Sequence, residues 1–129
     1  MEQKDREMMK KIMDSESMAY AYVYPRNGSV RQEYLISATP ENIANFLGSH
    51  FYDSEKMIIT DIADRLILDT FGGFINSCPD QALCRKIVPI LAPIQQGEEP
   101  GEIIGVSRDV ADQYFFEEDQ KVTMAEMMM

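Results

Sequence analysis

Residues 18–36 read MAYAYVYPRNGSVRQEYLI, and the fold turns on how this stretch is paired. Asn27-Gly28 suits a two-residue type I′ turn, because both residue types tolerate positive φ, and β-rich runs flank it. A hairpin closed there sets Tyr24 opposite Arg31, Tyr22 opposite Glu33 and Tyr20 opposite Leu35. Strand alternation then puts Tyr20, Tyr22 and Tyr24 on one face with Arg31 and Glu33. Ala19, Ala21, Val23, Gln32, Tyr34 and Ile36 fall on the other. The second set is smaller and more apolar, so it is the expected core side.

Downstream, Thr39-Pro40-Glu41 is a helix start, with threonine as N-cap, proline at the first helical position and an acid near the positive end of the dipole. Ile43, Phe46, Leu47, His50 and Phe51 share one stripe, which carries the helix to about His50. Upstream, residues 2–15 have Met8, Met9, Ile12 and Met13 at helical spacing. So short an amphipathic helix needs something to dock against.

Residues 54–78 admit two descriptions. As a helix, Ile59, Ile62, Ala63, Leu66, Ile67, Phe71 and Phe74 share a face. As strands, 57–61 and 65–71 are rich in β-branched residues, and Gly72-Gly73 ends the run. A helix through that many β-branched residues toward a glycine pair is weak, which tips the expectation to a second hairpin. Pro79-Asp80 opens a further helix with Leu83, Ile87, Ile90 and Leu91 inside, its regular part limited by Pro89. Gln95 to Gly101 is a polar loop. Ser107 then caps a short helix with Val110, Ala111, Tyr114 and Phe115 on one side.

The expected architecture is α+β: a small single domain with an N-terminal hairpin at about 18–36, a helix, a possible second hairpin, and further helices packed on one sheet face. Residues 1–17 form an N-terminal amphipathic helix, 18–116 the domain, and 117–129 an acidic, methionine-rich and flexible tail.

The chain has 129 residues, 45% hydrophobic and 26% charged, a composition that excludes global disorder. Its net charge is −10, of which residues 98–129 carry −7. Such acidity argues against direct binding to the nucleic-acid backbone, which needs lysine and arginine to displace counterions. The longest apolar run, Ile87 to Ile94, is interrupted by Pro89 and Pro93 and falls short of the roughly 20 residues that span a bilayer. The mixed-charge N-terminus lacks a signal-peptide pattern, so the expected location is cytoplasmic, with no membrane association and both cysteines reduced.

No constellation in the sequence carries catalysis. Cys78 and Cys84 are too widely spaced for a thioredoxin-type pair and lack the further ligands that zinc needs. They read as small buried thiols near a helix start. Glu55, Asp61, Asp64 and Asp69 are dense in carboxylate, but without a calcium-loop pattern they read as a solvated face. His50 lies on an apolar stripe with no nucleophile motif beside it. Gly72-Gly73 lacks the partners of a phosphate loop. Nine of the ten methionines fall in residues 1–18 or 124–129, without the histidines that would accompany a copper site. No catalytic residue, metal or cofactor is expected.

Three aligned tyrosines, by contrast, supply rigid amphipathic area suited to a protein interface. The expected function is a non-enzymatic interaction or regulatory module. Its candidate surface is Tyr20, Tyr22, Tyr24, Arg31 and Glu33, together with Glu117, Glu118 and Asp119. The expected partner is a protein, a second copy of the chain included. An alternative is an acidic mimic that competes with nucleic acid for a basic partner. A third is a small enzyme using His50 with Asp61, Asp64 or Asp69.

Overall fold

Residues 18–36 form a hairpin at the centre of a six-stranded antiparallel sheet in the computed structural model, which describes residues 1–127 and side chains as far as Lys121. The elements run α1 (Gln3–Asp14), β1 (Met18–Pro25), β2 (Gln32–Ser37), α2 (Pro40–Ser49), β3 (Ser54–Asp61), β4 (Leu66–Phe71), β5 (Phe74–Ser77), α3 (Gln81–Gln95), β6 (Gly105–Ser107) and α4 (Arg108–Met127). Strand order is β5-β4-β3-β1-β2-β6, so β1 is paired on both sides.

The β1–β2 register is the expected one, with Tyr20 opposite Leu35 and Tyr22 opposite Glu33. The turn is not. Asn27 lacks the positive φ that a type I′ turn requires, and pairing stops at Val23 opposite Gln32. The Gly28 amide instead donates to the Pro25 carbonyl, and Asn27 Oδ1 accepts from Ser29 N at 2.9 Å. Pro25 explains the change: it has no N–H for the ladder, and β1 keeps its partner on the other side, across a bulge to Ser54. The true type I′ geometry is at Gly72-Gly73, with φ of 61° and 88° between the paired Phe71 and Phe74. Residues 54–78 thus form three strands. The second hairpin is present, and β5 is an additional strand that the glycine pair makes possible.

One sheet face is the main core. Ala19, Ala21, Val23, Ile36, Met57, Ile59 and Leu68 are buried there against Ile43, Phe46 and Leu47 of α2 and Ile87 and Leu91 of α3. Each fully buried Ile, Leu or Met contributes about 2 kcal/mol. Thr39 caps α2 by accepting from Asn42 N at 3.2 Å, and Asp80 caps α3 by accepting from Leu83 N at 3.2 Å. The two helices cross closely at Gly48, where an added Cβ would collide with Ile94.

Helix α3 does not end at Pro89. It runs to Gln95 through both Pro89 and Pro93. The prolines are one turn apart, and Pro89 is exposed, so the carbonyls one turn back, deprived of donors, have access to water. Packing of Ile87, Leu91 and Ile94 outweighs the lost bonds.

Helices on one face describes α2 and α3. Helices α1 and α4 lie on the opposite face, where Met9, Ile12 and Ala111 bury against Leu35 of β2 and Val106 of β6. Ser107 caps α4 by accepting from Val110 N at 3.3 Å. The helix is longer than expected, and the boundary at residue 117 falls inside it. Met128 and Met129 lie outside the described residues, as do the side chains of Met124 and Met127. No helix among the described residues is long and apolar enough to cross a membrane.

Candidate interaction surface

The face that carries α1 and α4 is only half covered. Three cross-strand rows make it up. Val106, Leu35 and Tyr20 form the first row, which lies beneath the helices. Glu33, Tyr22, Ile58 and Asp69 form the second. Tyr24, Lys56, Phe71 and Phe74 form the third, in register across four strands. The third row is open: Phe71 is 64% and Phe74 63% exposed. Edge aromatics of that size are ordinarily covered, because each leaves a large apolar area in water.

Cations are laid over the tyrosines. The Arg31 guanidinium sits 5.0 Å from the Tyr22 ring centre and 5.9 Å from that of Tyr24, and donates to Tyr24 Oη at 3.2 Å. It also pairs with Glu33 at 3.3 Å. Lys56 Nζ lies 4.7 Å from the Tyr24 ring, and the Arg108 guanidinium 4.1 Å from that of Tyr20. These contacts hold the rings upright, and they place three positive groups on one face of a strongly acidic chain.

The hairpin tip is packed from below. Phe51 fills the space a side chain would need at Gly73 and meets Phe74 edge to face at 5.7 Å. Tyr52, 70% exposed, lies against Phe51 at 4.8 Å and extends the aromatic surface around the end of the sheet.

Tyr20, Tyr22, Tyr24, Arg31 and Glu33 therefore come together on one face. The acidic part of the candidate surface is arranged differently. Glu117 is half-buried and takes the Arg6 guanidinium at 2.7 Å, with the N-terminal amine at 3.9 Å. It ties α4 to α1. Glu118 pairs with Lys121 at 3.2 Å, and Asp119 is exposed on the same helix. Lys56, Ile58, Phe71, Phe74 and Arg108 were not expected here. The alternation of β3 and the aromatics flanking Gly72-Gly73 would have flagged four of them, had residues 54–78 been assigned to strands outright.

His50 and the aspartates are not brought together. His50 ends α2, packed on Phe46 at 4.8 Å and Tyr34 at 5.9 Å. Its Nδ1 is 3.4 Å from Asp53 Oδ1, close enough for an ion pair but without hydrogen-bond geometry. Asp61 lies at the far end of β3, about 23 Å along the strand from Ser54 at ~3.3 Å per residue. Its carboxylate builds the β3–β4 turn, accepting from Ala63 N at 2.8 Å, Arg65 N at 3.0 Å and Arg65 Nε at 2.9 Å. The two backbone donors and Arg65 hold its carboxyl below the ordinary range. Asp64 supplies the positive φ of that turn, and Asp69 lies on the tyrosine face opposite Ile58. Among the described residues, no group of three or more His, Cys, Asp or Glu side chains is placed to hold a metal ion.

Compared with known proteins, the chain matches no family model, no curated protein and no solved structure.

Proposed function

We propose that this protein is a non-enzymatic interaction module that binds a partner protein on the open half of its tyrosine face. The observation that carries this reading is the Tyr24–Lys56–Phe71–Phe74 row, which crosses four strands with both phenylalanines mostly exposed. The same face is covered next to it by α1 and α4, so the bare half has the shape of a surface that takes helices. Arg31 and Lys56 border the aromatics, which favours an amphipathic helix with an apolar stripe and acidic flanks. A second copy of the chain would bring another −10 charge, which opposes self-association at low salt.

A photo-crosslinking residue installed at Phe74, with Val30 in the exposed β1–β2 loop as the control position, tests the surface in the native cell. The expected product is a crosslink to one other protein from position 74, absent from position 30 and lost with Phe71→Asp. That protein's crosslinked segment should be a helix with carboxylates beside its apolar stripe. Crosslinking only to a second copy would replace the partner reading with a homodimer. No crosslink at either position would remove the surface.

A further inference from the structure

Cys78 and Cys84 bracket the N-terminus of α3 in an arrangement that does not depend on the tyrosine face. Asp80 is the N-cap, so Cys78 lies two residues before the cap and Cys84 is the fourth residue of the helix. Helical side chains lean toward the N-terminus, and a residue at this fourth position commonly meets one just upstream of the cap, as in the hydrophobic staple. Here the staple position itself is Pro79, and Cys78, one residue further out, brings a second thiol to the same end of the helix. Cys78 Sγ donates to the Asp80 carbonyl at 3.4 Å, which turns the thiol toward the start of α3. The Cys84 amide makes the first helical bond, to Asp80 O at 3.1 Å, which fixes the Cys84 backbone relative to the cap. Both cysteines are free and only half-buried. They line the same apolar groove, about 470 Å³, with Gln81, Arg85, Val88 and Pro89.

We propose that Cys78 and Cys84 form a reversible intramolecular disulfide by exchange with a small-molecule disulfide such as oxidised glutathione. Both thiols open onto the groove, where a reagent from solvent can reach them. The Cys84 thiolate attacks one sulfur of the reagent, breaking its S–S bond, and the departing thiolate takes up a proton. Cys78 then gives its proton to solvent and attacks the Cys84 sulfur of the mixed disulfide. The Cys78–Cys84 bond forms and the second reagent thiol leaves. Two protein thiols are oxidised and one disulfide is reduced to two thiols, so atoms and electrons balance. Burial, then the neighbouring Cys84, hold the Cys78 thiol above its ordinary range, which suits the resolving rather than the attacking role. The bond would tie the chain after β5 to the second turn of α3 and reshape the groove beside Val88, which is 46% exposed.

Intact-mass measurement of the full chain after incubation with oxidised glutathione tests this. The expected product is a monomer lighter by two hydrogens, with both cysteines protected from iodoacetamide and both released by dithiothreitol. Cys78→Ser should stop at the mixed disulfide, with one glutathionyl group retained on Cys84. Cys84→Ser should react at least tenfold more slowly than Cys78→Ser. Wild-type chain that retains glutathionyl groups, stays fully alkylatable or forms disulfide-linked dimers would overturn the proposal. So would a Cys84→Ser variant that reacts as fast as Cys78→Ser.

Discussion

Asn42 shows how much one side chain can settle inside this fold. It is 3% exposed, and its amide donates to Ser37 O at 2.7 Å and Ile104 O at 2.9 Å while accepting from Ile104 N at 2.7 Å. Those three bonds fasten the end of β2 and the segment before β6 to the first turn of α2. Asn45, one turn on, accepts from Gly101 N at 3.0 Å and holds the same segment. Replacing Asn42 with Ala leaves Ser37 O and Ile104 N without partners, while Ile104 O keeps its bond from Ser37 N at 3.0 Å, and each stranded group is costly to hold away from water. The expected loss is about 3 kcal/mol, read as a lower urea midpoint with an unchanged slope. Phe46→Leu in the same helix, a change of shape without stranded polar groups, should cost less than half as much.

At the scale of elements, α3 is the one whose local sequence argues against it. Two interior prolines each remove a helical hydrogen bond, yet the helix persists because its other side is buried against α2. Pro89 already sits in helical backbone and faces solvent. Pro89→Ala should therefore restore a donor for the carbonyl one turn back without disturbing the core. A gain of about 1 kcal/mol is expected, since the helical benefit of removing proline is partly offset by a more flexible unfolded chain. Thermal unfolding checks it: a lower midpoint for Pro89→Ala would mean that the proline is needed to shape the groove beside Cys84.

At the scale of the whole molecule, α1 closes the second face. Met9 and Ile12 are fully buried against Leu35 and Val106, and Arg6 is bonded to Glu117 of α4. Removing residues 1–14 should cost about 4 kcal/mol from the two buried side chains, with the ion pair adding about 1 kcal/mol or less. It should also bare Leu35, so the truncated chain is expected to bind a hydrophobic dye several-fold more strongly than the full chain. Equal dye binding by the two would show that α1 does not cover this face.

Much of this was legible locally. The alternation in residues 18–36, the cap at Thr39, the helix start at Pro79-Asp80 and the amphipathic spacing of α1 each depend on neighbours a few residues apart, and each formed as its residue types require. The tyrosine face belongs to this class, because alternation alone separates Tyr20, Tyr22 and Tyr24 from Ala19, Ala21 and Val23. What only the tertiary structure decided depends on distant partners. The hairpin turn changed because Pro25 pairs with β3 instead of β2. Three strands won in residues 54–78 because β3 could join β1, which gave β-branched residues a sheet to enter. The buried asparagines escaped notice because their partners lie in a segment some sixty residues away. Whether the tyrosine face is open is decided in the same way: α1 and α4 are long enough to cover Tyr20 and Leu35, and the sheet is wider than they reach. Local periodicity assigns a residue to a face, but only the packing of distant elements determines which part of that face is left to water.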